Sequence, residues 1–456
     1  MRRIFLCAAA ILILAGLASR AADQPNVLFL FTDDQRPDTI AALGNPALKT
    51  PNLDRIASSG FVFNNAYCMG SMVGAVCNPS RHMLLSGRSL FRYDPKRKEG
   101  TFADVMNQAG YVTWHIGKRG NTAQEYHKAF QHSAYLQDNQ ERTSGHHGRA
   151  AANAAIEFLN TGWDKSQPLF MYIAFEGPHD PRVAAREWME LYQREKIPLP
   201  ENYLPLHPIN NGDLFVRDEA LAPWPRTPEV VRQHLHDYYA CISSIDHHIG
   251  RILKALEEQK QLEKTILVFS SDHGLAIGSH GLFGKQNLYE DGMGVPFIFA
   301  GPGIPKGRTE AFAYLYDIFP TVAALAGAKA PGDLDGKDLG PVIRGETAAV
   351  RDTVFLAYKE VQRAVRRGDW KLIRYPKVDY TQLFNLKEDP HEVRNLAGDP
   401  AHAEKVRELL ALLAQEQKRF GDQAPLTVEN PEPAAVDEAF FKSKAPAQTG
   451  AKKRKE

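Results

Sequence analysis

Runs of consecutive apolar residues, separated by helical patterns, constrain the fold of this chain more than any other feature. Four such runs occupy 26–31, 169–175, 265–270 and 295–300, and a weaker one occupies 111–116. Strands buried on both faces of a parallel sheet have this unbroken apolar character. Strands that alternate with helices are typical of an α/β fold. We therefore expect a large, mainly parallel sheet flanked by helices.

The clearest helix is predicted to begin near Thr227, a good N-cap that is followed by Pro228 and Glu229 in the first turn. Apolar residues then recur at helical spacing over 235–256. The preceding segment, 207–226, is rich in Pro, Asn, Asp and Trp, and it predicts a long loop over one face of the sheet.

The first 22 residues (1–22) have the layout of a secretory signal peptide. Arg2 and Arg3 precede an apolar run at 4–17, and small residues follow it. That run is short for a membrane span, which needs about 20 apolar residues. We therefore expect an exported protein, periplasmic or secreted, without a stable membrane anchor. Because 55 basic residues nearly balance 54 acidic ones, bulk charge favours neither nucleic acid nor an anionic membrane as a partner.

Three segments are predicted after the signal peptide. A catalytic domain spans 23–350, and a smaller C-terminal α+β subdomain spans 351–424. In the subdomain, short strand patterns surround a turn at 367–369, and a helix is predicted over 401–420. The remainder, 425–456, is rich in Pro, Ala and Lys and predicts a disordered tail.

Acidic residues follow two of the predicted strands directly. Asp33 and Asp34 come after the first apolar run, and Asp272 and His273 follow the run at 265–270. Ligands of open parallel sheets bind at the carboxyl ends of strands, and carboxylates suit a hard cation such as Ca²⁺ or Mg²⁺. The alternative is that each acid caps the helix that follows its strand. Two strand ends with the same pattern favour the metal site.

Cys77 is the cysteine with a predicted chemical role. Cys68, Cys77 and Cys241 remain after the signal peptide, and an odd number leaves at least one unpaired in an oxidising compartment. A disulfide between Cys68 and Cys241 is compatible with the sequence, which does not establish it. In the segment CNPSRHMLLSGR, Pro79 suits the first turn of a helix, whose N-terminus favours an anion. Arg81 lies on the same helix face as Cys77 and could bind an oxyanion. The alternative is a thiol whose pKa is merely lowered by the helix end.

Further cationic or proton-carrying side chains follow other predicted strands. Lys118 lies in GKRGN, His179 in GPHDP, and His280 and Lys285 in GSHGLFGKQNLYE. Each of them alone is more often a solvated surface residue. Their shared position after strands favours an anion site.

Together these segments resemble the type I sulfatases of the alkaline-phosphatase-like superfamily, and the resemblance covers nearly the whole mature chain. The segment C-x-P-S-R with S-G-R downstream is its most specific part. The blocks, in sulfatase order, are TDDQRPD, TPNLDRIASSGFVFNNAY, CNPSRHMLLSGR, SDHGLAIGSHGLFGKQNLYE and AVRRGDWKLI with QLFNL after it.

The resemblance implies that a maturation enzyme oxidises Cys77 to Cα-formylglycine before folding. One hydroxyl of the aldehyde hydrate would attack sulfur, and the other would then expel sulfate and regenerate the aldehyde. Asp33, Asp34, Asp272 and His273, together with residue 77, would bind the metal, which is Ca²⁺ or alternatively Mg²⁺.

The same resemblance assigns four further roles. Arg81 would hold the hydrate, and Lys118 and Lys285 would neutralise the sulfate. His179 would be the general acid that protonates the leaving alkoxide.

One position departs from the family pattern. Sulfatases of this type usually read Gly-Lys-Trp-His where this chain reads Gly-Lys-Arg-Gly, so that Gly120 replaces a histidine. Loss of one acid–base group lowers a rate by roughly 10²–10⁴-fold. Asn121 and His115 are the candidate replacements.

The expected function is therefore that of an exported sulfatase acting on sulfate esters of a carbohydrate. His207, Arg217, Asp218 and Trp224 of the 207–226 loop could contact a sugar or only hold the loop in place. A phosphodiester or phosphonate monoester hydrolase of the same superfamily is one alternative. A weakened pseudoenzyme that binds a sulfated glycan is the other, and the retained site residues argue against it.

Overall fold

A computed structural model describes residues 24–444 of the chain, except 93, 95, 98, 122, 123 and 138. The predicted signal peptide lies outside the described residues. Within them, no helix combines the length and the apolar character that a membrane crossing requires.

Among the described residues, eight strands form one large sheet in the order β5-β4-β6-β1-β7-β8-β2-β9. Strand β8 runs antiparallel to both of its neighbours, and the other neighbouring pairs are parallel. The bounds of the strands in the first three quarters of the chain are β1 (Asn26–Asp33), β2 (Phe61–Tyr67), β3 (Gly70–Ser71), β4 (Val112–Lys118), β5 (His132–Leu136), β6 (Leu169–Pro178), β7 (Thr265–Ser271), β8 (Phe297–Ala300) and β9 (Gly307–Tyr314).

The centre of this sheet confirms the predicted α/β class. Every residue of β1 is buried, and β1 lies between β6 and β7, with Phe29 opposite Tyr172 on one side and Val268 on the other. The predicted strand at 295–300 begins only at Phe297 and is antiparallel. Strands β2 and β9 lie at one edge of the sheet and β5 forms the other edge, and none of the three was predicted from the sequence.

Helices flank the large sheet. The longest, α8, begins at Pro228, and its N-cap Thr227 accepts a hydrogen bond from the Val230 amide, as the sequence predicts. The helix bounds are α1 (Pro51–Ser59), α2 (Cys77–Ser86), α3 (Phe102–Gln108), α4 (Gln124–Lys128), α5 (Gln140–Ser144), α6 (Arg149–Glu157), α7 (Arg186–Met189), α8 (Pro228–Glu258), α9 (Glu290–Met293), α10 (Ile318–Leu325), α11 (Gly340–Ile343), α12 (Ala403–Phe420) and α13 (Glu438–Lys444).

A second sheet follows in the C-terminal region, where five described strands are ordered β13-β12-β11-β10-β3. Helix α12 packs across it. Strand β3 comes from much earlier in the chain and pairs in parallel with β10, with Gly70 opposite Ala357. Gly70 has φ of 108°, and a Cβ there would lie 1.9 Å from the carbonyl oxygen of Ala357, so that only glycine fits. The C-terminal strand bounds are β10 (Thr353–Tyr358), β11 (Gln362–Arg367), β12 (Trp370–Tyr375) and β13 (Tyr380–Asn385).

The prediction of a disordered tail from 425 is wrong for the part that the structure describes. Backbone hydrogen bonds join Ala434 and Val436 to the loop at 208–210. Phe441 is 2% exposed and stacks on Trp224, because the tail carries aromatic side chains that the overall Pro, Ala and Lys content conceals. Residues 445–456 of the predicted tail lie outside the described residues.

The three cysteines of the described chain are all buried and unpaired, so that no Cys68–Cys241 disulfide forms. Cys241 instead lies 3.1 Å from Nε2 of His147, inside the molecule. Cys77 lies at the first turn of α2, as the sequence predicts.

Candidate active site

Adjacent strands bring the predicted acidic residues together. Strands β1 and β7 are neighbours and end side by side, which places Asp33 and Asp34 beside Asp272 and His273. The amide of Asp34 donates a hydrogen bond of 3.0 Å to Oδ1 of Asp272. Asp34 has φ of 72°, a left-handed conformation that turns the chain sharply at the end of β1. The capping alternative is not observed, since the four side chains face one another.

Cys77 faces this acidic cluster from the start of α2. Its Sγ lies 3.0 Å from Nζ of Lys285, 3.1 Å from Nε2 of His273 and 3.7 Å from Oδ1 of Asp34. Ser80 fixes the helix against β7 by donating a hydrogen bond of 2.7 Å to the carbonyl oxygen of Asp272. The side chain at position 77 is therefore held at the centre of the site.

Burial raises the pKa of the Cys77 thiol, and the negative charge of Asp33 raises it further, while Lys285 opposes both effects only in part. The alternative of a thiol with a lowered pKa is therefore wrong. A neutral, buried thiol is a poor nucleophile.

Three cations contact the carboxylates. Arg81 bridges two of them, with Nη2 3.2 Å from Oδ2 of Asp33 and 3.2 Å from Oδ2 of Asp272. Lys118 Nζ lies 2.8 Å from Oδ2 of Asp33, and Lys285 Nζ lies 2.8 Å from Oδ1 of Asp34. All three cations are at least nine-tenths buried, so that their charges act with little screening.

These charges decide the ionisation of the carboxylates. Burial raises the pKa of Asp33, but Lys118 and Arg81 outweigh it and hold that pKa well below its usual range. Burial also acts on Asp34, and His179 and Lys285 overcome it and lower its pKa. The pKa of Asp272 is raised by burial and by the neighbouring charge of Asp33.

The donor set fits a hard divalent cation. Potential ligand atoms of Asp33, Cys77, Asp272 and His273 all lie within 4.8 Å of one another and are buried. Asp33, Asp34, Cys77 and His179 form a second, overlapping group with the same property. Carboxylate oxygens in this number are the ligands that Ca²⁺ and Mg²⁺ prefer.

His179 follows β6 and points one ring nitrogen at the cluster. Its Nε2 lies 4.0 Å from Oδ2 of Asp34. Its Nδ1 lies 2.8 Å from Nη1 of Arg142 and 2.7 Å from the carbonyl oxygen of Asp180, which fixes the ring. Burial lowers the pKa of His179, while Asp34 raises it. Arg142 was not predicted, because nothing in the local pattern of α5 places it beside the residues after β6.

Two adjoining cavities open onto these residues. The reaction pocket, of about 460 Å³, includes Cys77 and Lys285 in its walls. The side cavity, of about 530 Å³, includes Lys118 and Arg142. Gly120, His179 and Arg217 line both of them.

Gly120 leaves open space where the family pattern has a histidine. Apart from its chain neighbours, no atom of the described residues lies within 4 Å of the position of a Cβ there. His115 does not take its place, because it is 1% exposed, stacks on His127 in the core and lines neither cavity. The side chain of Asn121, the other candidate, lies outside the described residues.

The 207–226 loop contributes two of its four candidate residues to the reaction pocket. Arg217 and Asp218 line it, and Gln286, which the sequence did not single out, donates a hydrogen bond of 2.6 Å to Asp218. His207 and Trp224 instead hold the loop in place by internal packing.

His280 does not belong to the anion site. Its ring stacks on Tyr289 at a centroid distance of 3.7 Å, and Nε2 lies 3.0 Å from Nδ2 of Asn202. It lies in the same loop as Lys285, and the order of residues in a loop does not say which of them turns inward.

Comparison with known proteins identifies sulfatases as the relatives of this chain. The sequence profile of the Sulfatase family matches residues 25–328, and that of the N-sulphoglucosamine sulphohydrolase C-terminal region matches 278–419. An N-acetylglucosamine-6-O-sulfatase of Bacteroides thetaiotaomicron is 28% identical over 500 residues, covering 88% of each chain.

Solved structures share the fold. A complex with the substrate D-glucosamine-2-N,6-O-disulfate has a TM-score of 0.74 at 25% identity and covers 89% of this chain and 100% of the other. A phosphonate monoester hydrolase of Silicibacter pomeroyi has a TM-score of 0.72 at 22% identity and covers 88% and 96%. The Sulfatase profile matches two thirds of the chain, and the acidic residues after β1 and β7 and the buried Cys77 agree with that match. The chain therefore belongs to the type I sulfatases of the alkaline-phosphatase-like superfamily and is a sulfuric ester hydrolase.

Proposed function

We propose that this sulfatase is an exported enzyme that hydrolyses a sulfate ester of a carbohydrate, with Cys77 converted to Cα-formylglycine and Ca²⁺ bound beside it. The position of Cys77 carries the proposal, because its Sγ lies within 3.7 Å of Lys285, His273 and Asp34 at the wall of the reaction pocket. Mg²⁺ is the alternative metal.

Asp33, Asp34, Asp272 and His273, with residue 77, would hold the metal, which when bound supplies positive charge to the sulfate oxygens. Formylglycine at position 77 would supply, as its hydrate, a hydroxyl nucleophile for sulfur and a second hydroxyl whose deprotonation would release sulfate and restore the aldehyde.

The remaining residues orient the substrate and move a proton. Lys118 and Lys285 present ammonium groups at the pocket walls, where they would pair with the sulfate oxygens. Arg81 is buried on the same helix as residue 77 and fixes its surroundings through Asp33 and Asp272. His179 would give the Nε2 proton to the leaving alkoxide, since Nδ1 lies against Arg142 and Asp180 and Nε2 is the ring nitrogen that faces the cluster.

A carbohydrate substrate is supported by the polar walls of both cavities and by the names of the relatives. The related enzyme from Bacteroides thetaiotaomicron is an N-acetylglucosamine-6-O-sulfatase, and the solved complex contains a disulfated glucosamine. The two adjoining cavities, of about 460 and 530 Å³, have room for more than a sulfate group.

Mass spectrometry of the peptide that contains Cys77 tests the covalent part of the proposal. The full chain is produced with a formylglycine-generating enzyme, and we expect the cysteine sulfur to be replaced by an aldehyde oxygen. A chain that keeps its thiol under these conditions would contradict the mechanism. The mass of the exported protein also reports whether residues 1–22 have been removed.

Turnover measurements separate the sulfatase from its two alternatives. We expect the matured chain to hydrolyse 4-nitrophenyl sulfate faster than 4-nitrophenyl phosphate, and to lose activity on chelation and regain it with Ca²⁺. Faster phosphate turnover would identify a phosphoester or phosphonate hydrolase. Binding of a sulfated glycan without turnover of either ester would identify a pseudoenzyme.

A further inference from the structure

The side cavity is larger than the reaction pocket and has basic walls. Its volume is about 530 Å³, and none of the described residues that line it is a carboxylate. The polar and charged residues around it are Lys118, Asn139, Arg142, Thr143, His179 and Arg217. Such a wall presents N–H donors to a ligand and therefore suits an anionic group.

Two of the three basic residues in this wall are already committed to partners. Arg142 is 9% exposed, with Nε 3.1 Å from Oε1 of Glu176 and Nη1 beside His179. Lys118 pairs with Asp33 and is similarly buried. Each of these two residues is therefore held by a carboxylate that offsets its charge, and Lys118 is the one that the proposed function assigns to the sulfate.

Arg217 is the basic residue that can reach a ligand. Its side chain is 61% exposed, yet it is held from behind, because Nη1 lies 2.7 Å from Oδ1 of Asp218 and Nη2 pairs with Asp180. A guanidinium has five N–H donors, so that several remain for an anion after these two contacts. Its position in the walls of both cavities places those donors where the two meet.

Gly120 lies where the two cavities adjoin. It lines both of them, and apart from its chain neighbours no atom of the described residues lies within 4 Å of the position of a Cβ there. A larger side chain at this position would stand between the reaction pocket and the side cavity. The absence of a side chain at Gly120 therefore provides a second compartment next to the sulfate.

We propose that the side cavity binds a second anionic group, a carboxylate or a second sulfate, on the same substrate, and that Arg217 is the residue that selects for it. The inference rests on the proposed function and narrows its substrate class to saccharides with at least two anionic groups. Arg217 would form charge-assisted hydrogen bonds to that group.

Binding of a matched pair of sugars tests this proposal without turnover. The full-length Cys77→Ala variant with Ca²⁺ is titrated calorimetrically with N-acetylglucosamine-6-O-sulfate and with D-glucosamine-2-N,6-O-disulfate. We expect the disulfated sugar to bind about 10- to 100-fold more tightly, the range for hydrogen bonds to charged groups. Adding Arg217→Ala should remove most of this preference, and Arg217→Lys should keep part of it.

Arg186→Ala is the matched control. Its side chain is 89% exposed, pairs with Glu190 just after α7 and lines neither cavity, so the preference should remain. Equal affinities for the two sugars, no measurable binding of the disulfated sugar, or an unchanged preference in Arg217→Ala would overturn the proposal. If the matured chain still hydrolyses 4-nitrophenyl sulfate, only the second-anion inference fails and the proposed function stands.

Discussion

Arg81 is a buried cation whose loss would leave two carboxylates uncompensated. It is 2% exposed and lies 3.2 Å from both Asp33 and Asp272. We expect Arg81→Ala to lower the free energy of unfolding of the metal-free chain by about 3–5 kcal/mol, the usual cost of breaking a buried ion pair. Saturating Ca²⁺ should recover part of the loss, because a bound cation compensates the same carboxylates.

Urea denaturation with and without a chelator measures this effect. Arg92→Ala is the control, because the Arg92 side chain is 43% exposed and pairs with Asp335. This substitution should lower the free energy of unfolding by less than about 1 kcal/mol. A similar small cost for Arg81→Ala would show that the buried carboxylates do not depend on it.

A histidine at position 120 should be tolerated and should change the chemistry. A Cβ there meets no atom of the other described residues within 4 Å, chain neighbours aside, and Gly120 does not have a left-handed φ. Gly120→His should therefore alter stability by less than about 1 kcal/mol. The imidazole would add a proton-transfer group near residue 77, and we expect kcat on 4-nitrophenyl sulfate to rise by about 10-fold or more.

The same imidazole would occupy space between the cavities, so that tighter binding of the disulfated sugar should be lost. Gly120→Ala separates the two effects, since it adds volume but no titratable group. An unchanged kcat in Gly120→His would mean that another group already performs this proton transfer.

The sequence predicted those site residues whose positions follow from the strand or helix that carries them. Asp33 and Asp272 were found because a strand delivers its last residues to the sheet edge, and Arg81 because helical spacing relates it to Cys77. Arg142 and Gln286 were missed because their positions depend on the paths of loops. His280 was misassigned for the same reason, since its ring faces Tyr289 rather than the anion site.

At the scale of elements, helix α13 supports the loop that carries Arg217. Phe441 stacks on Trp224 and contacts Phe215, the residue two positions before Arg217. We expect Phe441→Ala to raise KM for a saccharide substrate several-fold with a smaller change in kcat, because the loop loses its packing while residue 77 and its neighbours remain in place. Steady-state kinetics of the matured enzyme measures the two constants separately.

Phe420→Ala is the control, because Phe420 also lies in the C-terminal region but stacks on Phe355 of β10, away from the loop residues. It should lower stability and leave KM unchanged. A rise in KM for both variants would point to general loosening instead of loop support.

The central strands were predictable and the edge was not. Strand β1 and its neighbours are apolar throughout, which identifies them without knowledge of the fold. Strand β9 has exposed polar residues in its first half, and β3 has two residues, so that neither gives a clear pattern. Helix α13 was missed because segment composition hides the Phe440–Phe441 pair.

At the scale of the whole molecule, buried histidines should make the protein sensitive to acid. Burial lowers the pKa of four of them to about 4, and it lowers the pKa of others as well. Those at about 4 are His82, His127, His147 and His207. Because the unfolded pKa is near 6.5, the stability that their neutral forms contribute is complete above pH 6.5 and is lost as the pH falls towards 4.

Some buried acids act in the opposite direction. Burial raises the pKa of Glu141 and Glu392 to about 7 and that of Asp246 to about 6, and these groups favour folding as the pH falls. The histidines outweigh them, since burial also lowers the pKa of His115, His248 and His280. We expect the urea concentration at the unfolding midpoint of the metal-free chain to decrease as the pH is lowered from 6.5 to 4. An increase over this range would show that the buried acids outweigh the buried histidines.

The pairing of β3 with β10 also sets an order of events during synthesis. Gly70 lies seven residues before Cys77, whereas its partner Ala357 is made 280 residues after Cys77. At roughly 5–20 residues per second, translation needs about 15–60 s to cover that distance. Until then the segment around Cys77 lacks its final neighbour, although in the finished protein its side chain is only 6% exposed. Under the proposed conversion of Cys77, this interval is when a maturation enzyme would reach the segment, before the chain is complete and the second sheet closes.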